Sequence, residues 1–252
     1  MSATATSLII CALLVGGVLV GALLRRVLPE HHLDTHAKDV VRLGCALIAT
    51  ISGLVLGLLI NSAKTNFDAQ RDEIRQLAAN IILIDHLLHQ FGPEARPARG
   101  LLRDATAAMV DGIWRGATLK PANAPFIPTA IGLSADRAIR TLSPTTEAQR
   151  VYQSQAIQAI NAVLQARLIL YEQSSGRMPT PFLVVLVFWL FILFVSFSLF
   201  SPLSPTAMAA LVVIALSASG AIFLILEMYQ PFSGIMQIDS EPLRQALAPL
   251  AT

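Results

Sequence analysis

The sequence is poor in charge, since Asp, Glu, Lys and Arg make up 13% of its 252 residues, whereas a soluble domain usually has about 25%. The net charge is +2, which gives no reason to expect a nucleic acid as partner. Cysteine is scarce too, and Cys11 and Cys45 both lie in apolar runs, where packing is a better explanation than a disulfide. Enzyme motifs such as G-x-S-x-G, the phosphate-binding loop and H-E-x-x-H are missing, so we expect no catalytic residues.

Apolar residues are what the sequence has instead: 54% of the chain is hydrophobic and the mean hydropathy is +0.63. Four runs reach the ~20 residues that a helix needs to cross a bilayer. They are residues 7–24, 40–60, 181–200 and 206–228. No Lys or Arg precedes the first run, and Arg25 and Arg26 follow it where a signal peptide would have small residues. We therefore expect it to be a retained membrane anchor.

These runs divide the chain into four parts. The first hairpin of spans occupies residues 1–60 and the second occupies 181–228, followed by a tail at 229–252. Residues 61–180 hold most of the charged side chains and form the segment outside the membrane. No strand pattern competes with helix, so the sequence predicts an all-α integral membrane protein with four transmembrane helices and a helical extramembrane domain inserted between spans 2 and 3.

The extramembrane segment has helical periodicity. The second span meets no helix breaker before Gly92 and Pro93, so we expect it to continue into water with an apolar heptad stripe that needs a partner helix. That stripe is Phe67, Ile74, Leu77, Ile81, Ile84, Leu88 and Phe91. A second helix is predicted over 97–114 and a proline-rich connector over 120–128. A third should start at the cap Ser143 and run to about residue 173. Its predicted apolar stripe is Val151, Ile157, Ile160, Leu164, Leu168 and Tyr171.

The distribution of cations leaves the membrane orientation open. Counted over the short loops, Arg25, Arg26, Lys38 and Arg42 outnumber Arg244, which puts the opening loop in the cytoplasm and the helical domain outside it. Further cations flank the spans on the side of the helical domain, and when they are counted this side has more cations than the opening loop. They are Lys64, Arg71, Arg75, Arg167 and Arg177.

Three stretches resemble a known family. They are LPEHHLDTHAKDVVRLGCALIATISGLVLGLLINSAK (28–64), LVFWLFILFVSFSLFSP (186–202) and AIFLILEMYQPFSGIMQIDSEPLRQAL (221–247). All three are similar to the bacterial bestrophin-like domain family of four-span membrane proteins. Glu227 followed by Pro231 and Phe232 is similar to the acidic Pro-Phe-Gly element of bestrophins, with a serine inserted before Gly234. The resemblance implies an oligomeric anion channel, and it would put the helical domain in the cytoplasm.

The histidines form two groups. His31, His32 and His36 belong to the opening loop, where they are either polar side chains of an interfacial turn or part of a metal or pH-sensing site. His86 and His89 share a helix face, which is either solvated or half of a metal site. On one continuous helix the two groups lie roughly 75 Å apart, so a single subunit does not combine them.

The remaining candidates concern ion passage. Ser52, Gly53 and Gly57 give the second span a small-residue face, which suits either close helix packing or the lining of a pore. Asn61 and Lys64 follow where this span leaves the membrane. Glu227 ends the fourth span on the same side, where it serves either as a helix-end anchor or, paired with Lys64, in ion gating.

Three hypotheses follow for function. The first is a homo-oligomeric, passive ion channel, anion-selective and lined by the second span. The second is a non-conducting signalling or scaffold protein, because the spans contain almost no ionisable groups. A metal-ion transporter is the weakest, since no acid or histidine lies at mid-membrane. The expected partners are the lipid bilayer of a bacterial inner membrane, further copies of the chain and small ions; no cofactor is assigned.

Overall fold

A computed structural model describes residues 2–27, 35–114, 129–175, 180–200 and 204–248. Within these ranges the regular structure is helical, and no strand occurs. The α-helices are α1 (Ala3–Val27), α2 (Thr35–Phe91), α3 (Arg96–Trp114), α4 (Ala130–Arg140), α5 (Glu147–Ser175), α6 (Thr180–Phe200), α7 (Pro205–Met228) and α8 (Glu241–Leu247). A short 3₁₀ turn, Pro93–Ala95, separates α2 from α3.

Four of these helices are long and apolar enough to cross a membrane, namely α1, α2, α6 and α7. They coincide with the four predicted runs, and the all-α membrane fold is therefore confirmed. The second span also continues as predicted, because α2 has 57 residues and ends at Phe91. Gly92 follows with φ of 122°, a left-handed conformation that glycine adopts without a Cβ penalty.

The chain divides into two compact units. The membrane unit comprises residues 1–65 and 177–229, and the helical unit comprises residues 66–176 and 230–252. Residues 230–248, at the start of the predicted tail, thus belong to the helical unit. Since α2 spans residues 35–91, it contributes to both units.

In the membrane unit, α1 packs closely against α6 and α7. Gly17 and Gly21 lie at the contact with α6, and a Cβ on Gly21 would stand 2.8 Å from the Cβ of Ser198. Two hydroxyls bond across the helices: Ser198 Oγ donates to Val18 O at 2.7 Å, and Ser219 Oγ donates to Ser7 O at 2.9 Å. Small residues and hydroxyls are the usual means by which helices associate in lipid, where apolar burial gives little driving force.

In the helical unit, the predicted heptad stripe of α2 forms the centre of the core. Its residues from Ile74 to Phe91 are buried and Phe67 is partly buried. The same cluster takes in Met109 and Ile113 of α3 and Leu170 of α5. The stripe therefore finds its partner helices within the same chain, and it gives no separate argument for a second copy.

One detail predicted for α5 is wrong, and a second is right only in part. The helix starts at Glu147 and its cap is Thr146, whose hydroxyl accepts a hydrogen bond from Gln149 N at 3.1 Å, while Gln149 Oε1 accepts from Thr146 N at 3.3 Å. This reciprocal capping box outcompetes the predicted cap at Ser143. The predicted stripe is right only in part: Ile160 is buried and Ile157 and Leu164 are partly buried, whereas Val151, Leu168 and Tyr171 are exposed. Small side chains occupy much of the buried face instead: Ala156, Ala159 and Ala166.

Helix α4 was not predicted. Thr129 caps it by accepting a hydrogen bond from Gly132 N at 3.2 Å, and only Ala135 and Ile139 of its eleven residues are buried. Such a short helix, with one buried pair, carries little periodic signal. The predicted proline-rich connector at 120–128 lies outside the described residues.

Residues after α7 pack against the helices of the helical unit and complete its core. Ile238 N donates to Pro231 O at 2.8 Å, and Gly234 has φ of 94° in the loop between them. The indole of Trp114 donates to Ile238 O at 2.9 Å and meets the ring of Phe232 edge-on at 6.1 Å. Leu243 of α8 is fully buried in the same core as the α2 stripe.

Candidate functional site

Four of the predicted pore residues lie together on one face of α2. Gly53, Gly57, Asn61 and Lys64 follow one another at steps of four, four and three, which places them along one side of the helix. All four are exposed, and nothing lies within 4 Å of the position that a Cβ would take on Gly53 or Gly57. We call these four residues the small-polar face.

Thr50 extends the small-polar face by one turn. It is exposed, and its hydroxyl donates to Ala46 O at 2.9 Å, so its polar group is already satisfied by the helix backbone. The sequence reasoning missed Thr50. The signal that would have found it is its spacing of three from Gly53.

An apolar face lies beside the small-polar face on the same helix. Leu47, Leu54 and Leu58 are each more than 60% exposed, as expected for side chains in contact with lipid tails. The two faces differ in kind: one carries large aliphatic groups, whereas the other carries no side chain larger than Thr until Asn61. Contact with lipid alone would not require this difference.

Ser52 does not belong with the other candidates. It is 3% exposed and lies on the side of α2 that also buries Cys45 and Leu59. Its Oγ has no hydrogen-bond partner within the described part of the chain. Ser52 is adjacent to Gly53 in sequence, but a step of one turns a helix by about 100°, so the two residues point to different sides.

Glu227 lies in the last turn of α7 and is 2% exposed. A buried carboxylate is costly without compensating contacts, and Glu227 has such an interaction within the chain. Lys64, which is exposed, also interacts within the chain. Their predicted pairing with one another stays a prediction.

The histidine candidates are only partly described. His31 and His32 lie outside the described residues, and His36 belongs to the first turns of α2. His86 and His89 are exposed, and His86 Nε2 lies 3.0 Å from Gln90 Nε2, in agreement with a solvated helix face. In the ranges that the structure covers, no three His, Cys, Asp or Glu side chains gather as a metal site.

A cavity of about 350 Å³ lies between the start of α2 and the end of α6. Arg42, Phe197 and Phe200 are among its lining residues. Arg42 is largely exposed, with Nη1 3.9 Å from Asp39 Oδ1. A long, flexible cation at the end of a span can extend its charged group into water, and the exposure of Arg42 agrees with this behaviour.

Comparison with solved structures shows the same fold in a bacterial bestrophin homologue from Klebsiella pneumoniae. A variant of that protein with a tryptophan-to-alanine mutation gives a TM-score of 0.71 at 14% identity, over 99% of this chain and 97% of that one. A leucine-to-threonine variant gives 0.69 at 13% identity, over 97% of both chains. At such identities the likeness establishes the fold alone.

Sequence comparison identifies the family. No curated protein matches the chain, but residues 11–243 match the family described as the bestrophin-like domain. The match covers most of the chain, including α2, α7 and the residues that close the helical unit. This protein is a membrane protein that belongs to the bestrophin-like domain family.

Proposed function

We propose that this chain forms a homo-oligomeric, passive anion channel in a bacterial inner membrane, with the second span lining the pore. The observation that carries the proposal is the small-polar face of α2. In a single chain this face is exposed along Gly53, Gly57 and Asn61, although apolar side chains cover much of the rest of the span. A ring of copies with these faces inward would surround an aqueous path.

The chemistry of the face suits weakly held ions. Glycine leaves backbone carbonyls close to the path, Asn61 offers an amide N–H, and Lys64 adds a positive charge at the end of the span. No acidic side chain occurs on α2 between Asp39 and Asp68, so nothing there repels an anion. Conduction needs contacts that admit an ion without holding it tightly. The membership of the bestrophin-like family agrees with this function.

A non-conducting scaffold or signalling protein is the second candidate. Glycine faces also let helices approach closely without water between them, so the small-polar face would equally suit a dry contact between copies. The two candidates differ in one property, which is whether water reaches Gly53 and Gly57 in the assembled protein.

Cysteine accessibility tests this difference. In a chain with Cys11 and Cys45 replaced by alanine, Gly57→Cys should react with a charged, membrane-impermeant thiol reagent and lose most of its current in planar bilayers. Leu58→Cys is the matched control, because its position is exposed on the apolar face. It should react slowly and keep its current. No modification at residue 57 in protein that also carries no current would contradict the channel.

Charge reversal at Lys64 tests the selectivity. With Lys64→Glu in the same bilayers, the permeability ratio of chloride to sodium should fall several-fold, because a cation beside the path becomes an anion. Arg150→Glu changes an exposed cation on α5 and should leave the ratio unchanged. A current that selects cations in the native protein would overturn the anion assignment.

A further inference from the structure

The cavity between the start of α2 and the end of α6 is open on one side and has a volume of about 350 Å³. Its walls include Val41, Arg42 and Ala46 of α2 and Phe197 and Phe200 of α6. Both helices are long and apolar enough to cross a membrane. Beside the cavity on α2, Val40 and Leu43 are largely exposed, as expected for side chains that contact lipid. The cavity is therefore a groove at the lipid-facing surface of the membrane unit.

This groove is polar at one end and apolar at the other. Arg42 lies at the start of the apolar run that begins at residue 40, so its guanidinium is at the level of the lipid headgroups. Ala46 follows Arg42 by one turn of α2, and Phe197 precedes Phe200, the last residue of α6, by about one turn. Both lie about 4–6 Å deeper in the membrane. The change from charged to apolar along the groove matches an amphiphile.

The guanidinium of Arg42 has donors to offer at the polar end. Arg42 Nη1 lies 3.9 Å from Asp39 Oδ1, outside hydrogen-bond distance, and both side chains are mostly exposed. Such an exposed pair contributes little to stability. Within the described part of the chain Arg42 makes no hydrogen bond, and a guanidinium has five N–H groups in a planar fork that fits a phosphate. Asp39 therefore leaves Arg42 able to bind an anion.

The apolar end of the groove has the volume for a hydrocarbon chain. At roughly 30 Å³ for each water-sized group, 350 Å³ accommodates on the order of a dozen methylene groups, which is much of one acyl chain. The rings of Phe197 and Phe200 offer apolar surface to such a chain. A free phosphate would occupy the polar end alone and leave this surface uncovered.

We propose that this groove binds a phospholipid, with the phosphate on Arg42 and one acyl chain between α2 and α6. Basic pockets between membrane helices are a known means of holding lipid headgroups. Both leaflets contain phosphate, so the site does not depend on which way the protein faces. It uses none of the residues of the small-polar face, and it therefore holds whether or not the protein conducts ions.

Binding can be measured on the purified full-length protein in detergent as the rise of its melting temperature with added dioleoylphosphatidylglycerol. The rise should continue with the logarithm of the lipid concentration above the dissociation constant. Dioleoylglycerol has the same chains without the phosphate and should give a much smaller rise. Glycerol phosphate has the phosphate without the chains and should give none.

Two variants locate the phosphate and the chain. Arg42→Gln should weaken the binding of phosphatidylglycerol about fivefold, whereas Arg26→Gln, which removes an exposed cation from the last turn of α1, should leave it unchanged. Ala46→Leu fills the groove while keeping Arg42, and it should weaken binding at least tenfold. Gly44→Leu is its control, because a Cβ on Gly44 would meet nothing within 4 Å, and it should bind the lipid as the native protein does.

Two outcomes would overturn the proposal. One is that phosphatidylglycerol stabilises the native protein no more than dioleoylglycerol does. The other is that Ala46→Leu binds phosphatidylglycerol as tightly as the native protein. If Ala46→Leu instead lowers the mass of the oligomer while its affinity for the lipid is unchanged, a second copy of the chain covers the groove in place of a lipid.

Discussion

At the scale of single residues, Asp85 and Arg99 form an ion pair in the interior of the helical unit. Arg99 Nε lies 2.6 Å from Asp85 Oδ1, and Arg99 Nη2 lies 3.3 Å from Asp85 Oδ2. The two side chains are 15% and 7% exposed and join α3 to α2. The geometry is bidentate, which orients the two helices as well as attracting them.

Breaking this ion pair should strongly destabilise the folded protein. Asp85→Asn removes the carboxylate charge that faces the guanidinium of Arg99 in a largely buried position, so we expect a loss of about 3–5 kcal/mol in the free energy of unfolding. The measurement is a denaturant titration of the full-length protein in detergent.

The matched control is Glu147→Gln. Glu147 pairs with Arg150 at 2.8 Å, but both side chains are mostly exposed, and the cost should be less than about 1 kcal/mol. Equal losses in the two variants would mean that the burial of Asp85 contributes nothing.

At the scale of helices, the sequence predicted long elements well and short ones poorly. The four spans and the continuation of α2 rest on runs of many apolar or periodic residues, which dominate over local preferences. The start of α5 depends on one cap, and Thr146 provides a capping box that Ser143 lacks. The small-polar face follows from the spacing of the glycines, whereas the burial of Ser52 on another side of α2 could not be predicted, because sequence spacing does not show which side of a helix meets its neighbours.

Helix contact in the membrane unit depends on one glycine of α1. Gly21→Ala would put a methyl group against the backbone of Val195 and the side chain of Ser198, so α1 and α6 must separate. We expect a loss of about 1–3 kcal/mol, as for other overpacked contacts. The measurement is the temperature at which half of the detergent-solubilised protein leaves the folded peak in size-exclusion chromatography.

The control lies five residues away on the same helix. A Cβ on Gly16 would meet nothing within 4 Å, and Gly16→Ala should be neutral or slightly stabilising, because alanine favours helix by about 1 kcal/mol. A loss at Gly16 as large as that at Gly21 would show that contact with α6 does not set the effect.

At the scale of the whole molecule, the expected assembly depends on the exposed side of α2. The heptad stripe is buried within the chain, so the proposed contact between copies is assigned to the small-polar face instead. If copies meet around water, side chains added at this face point into the path and leave the contacts between copies intact. If copies meet without water, the same side chains push them apart.

Gly57→Leu separates these arrangements. We expect the mass of the detergent-solubilised oligomer, measured by light scattering, to stay unchanged while the current in planar bilayers falls at least several-fold. Leu54→Ala, on the neighbouring apolar face, should alter neither. Dissociation of Gly57→Leu into single chains would favour the dry scaffold over the channel.

The docking of Trp114 against Ile238 and Phe232 has a spectroscopic consequence. The chain has two tryptophans: Trp114 belongs to the helical unit, and Trp189, on α6, belongs to the membrane unit. Replacing either one with phenylalanine leaves a single tryptophan in a known unit, which can be excited selectively over tyrosine. Emission from Trp114 alone would then shift to longer wavelength when residues 230–248 detach, which gives each unit its own optical signal without an added label.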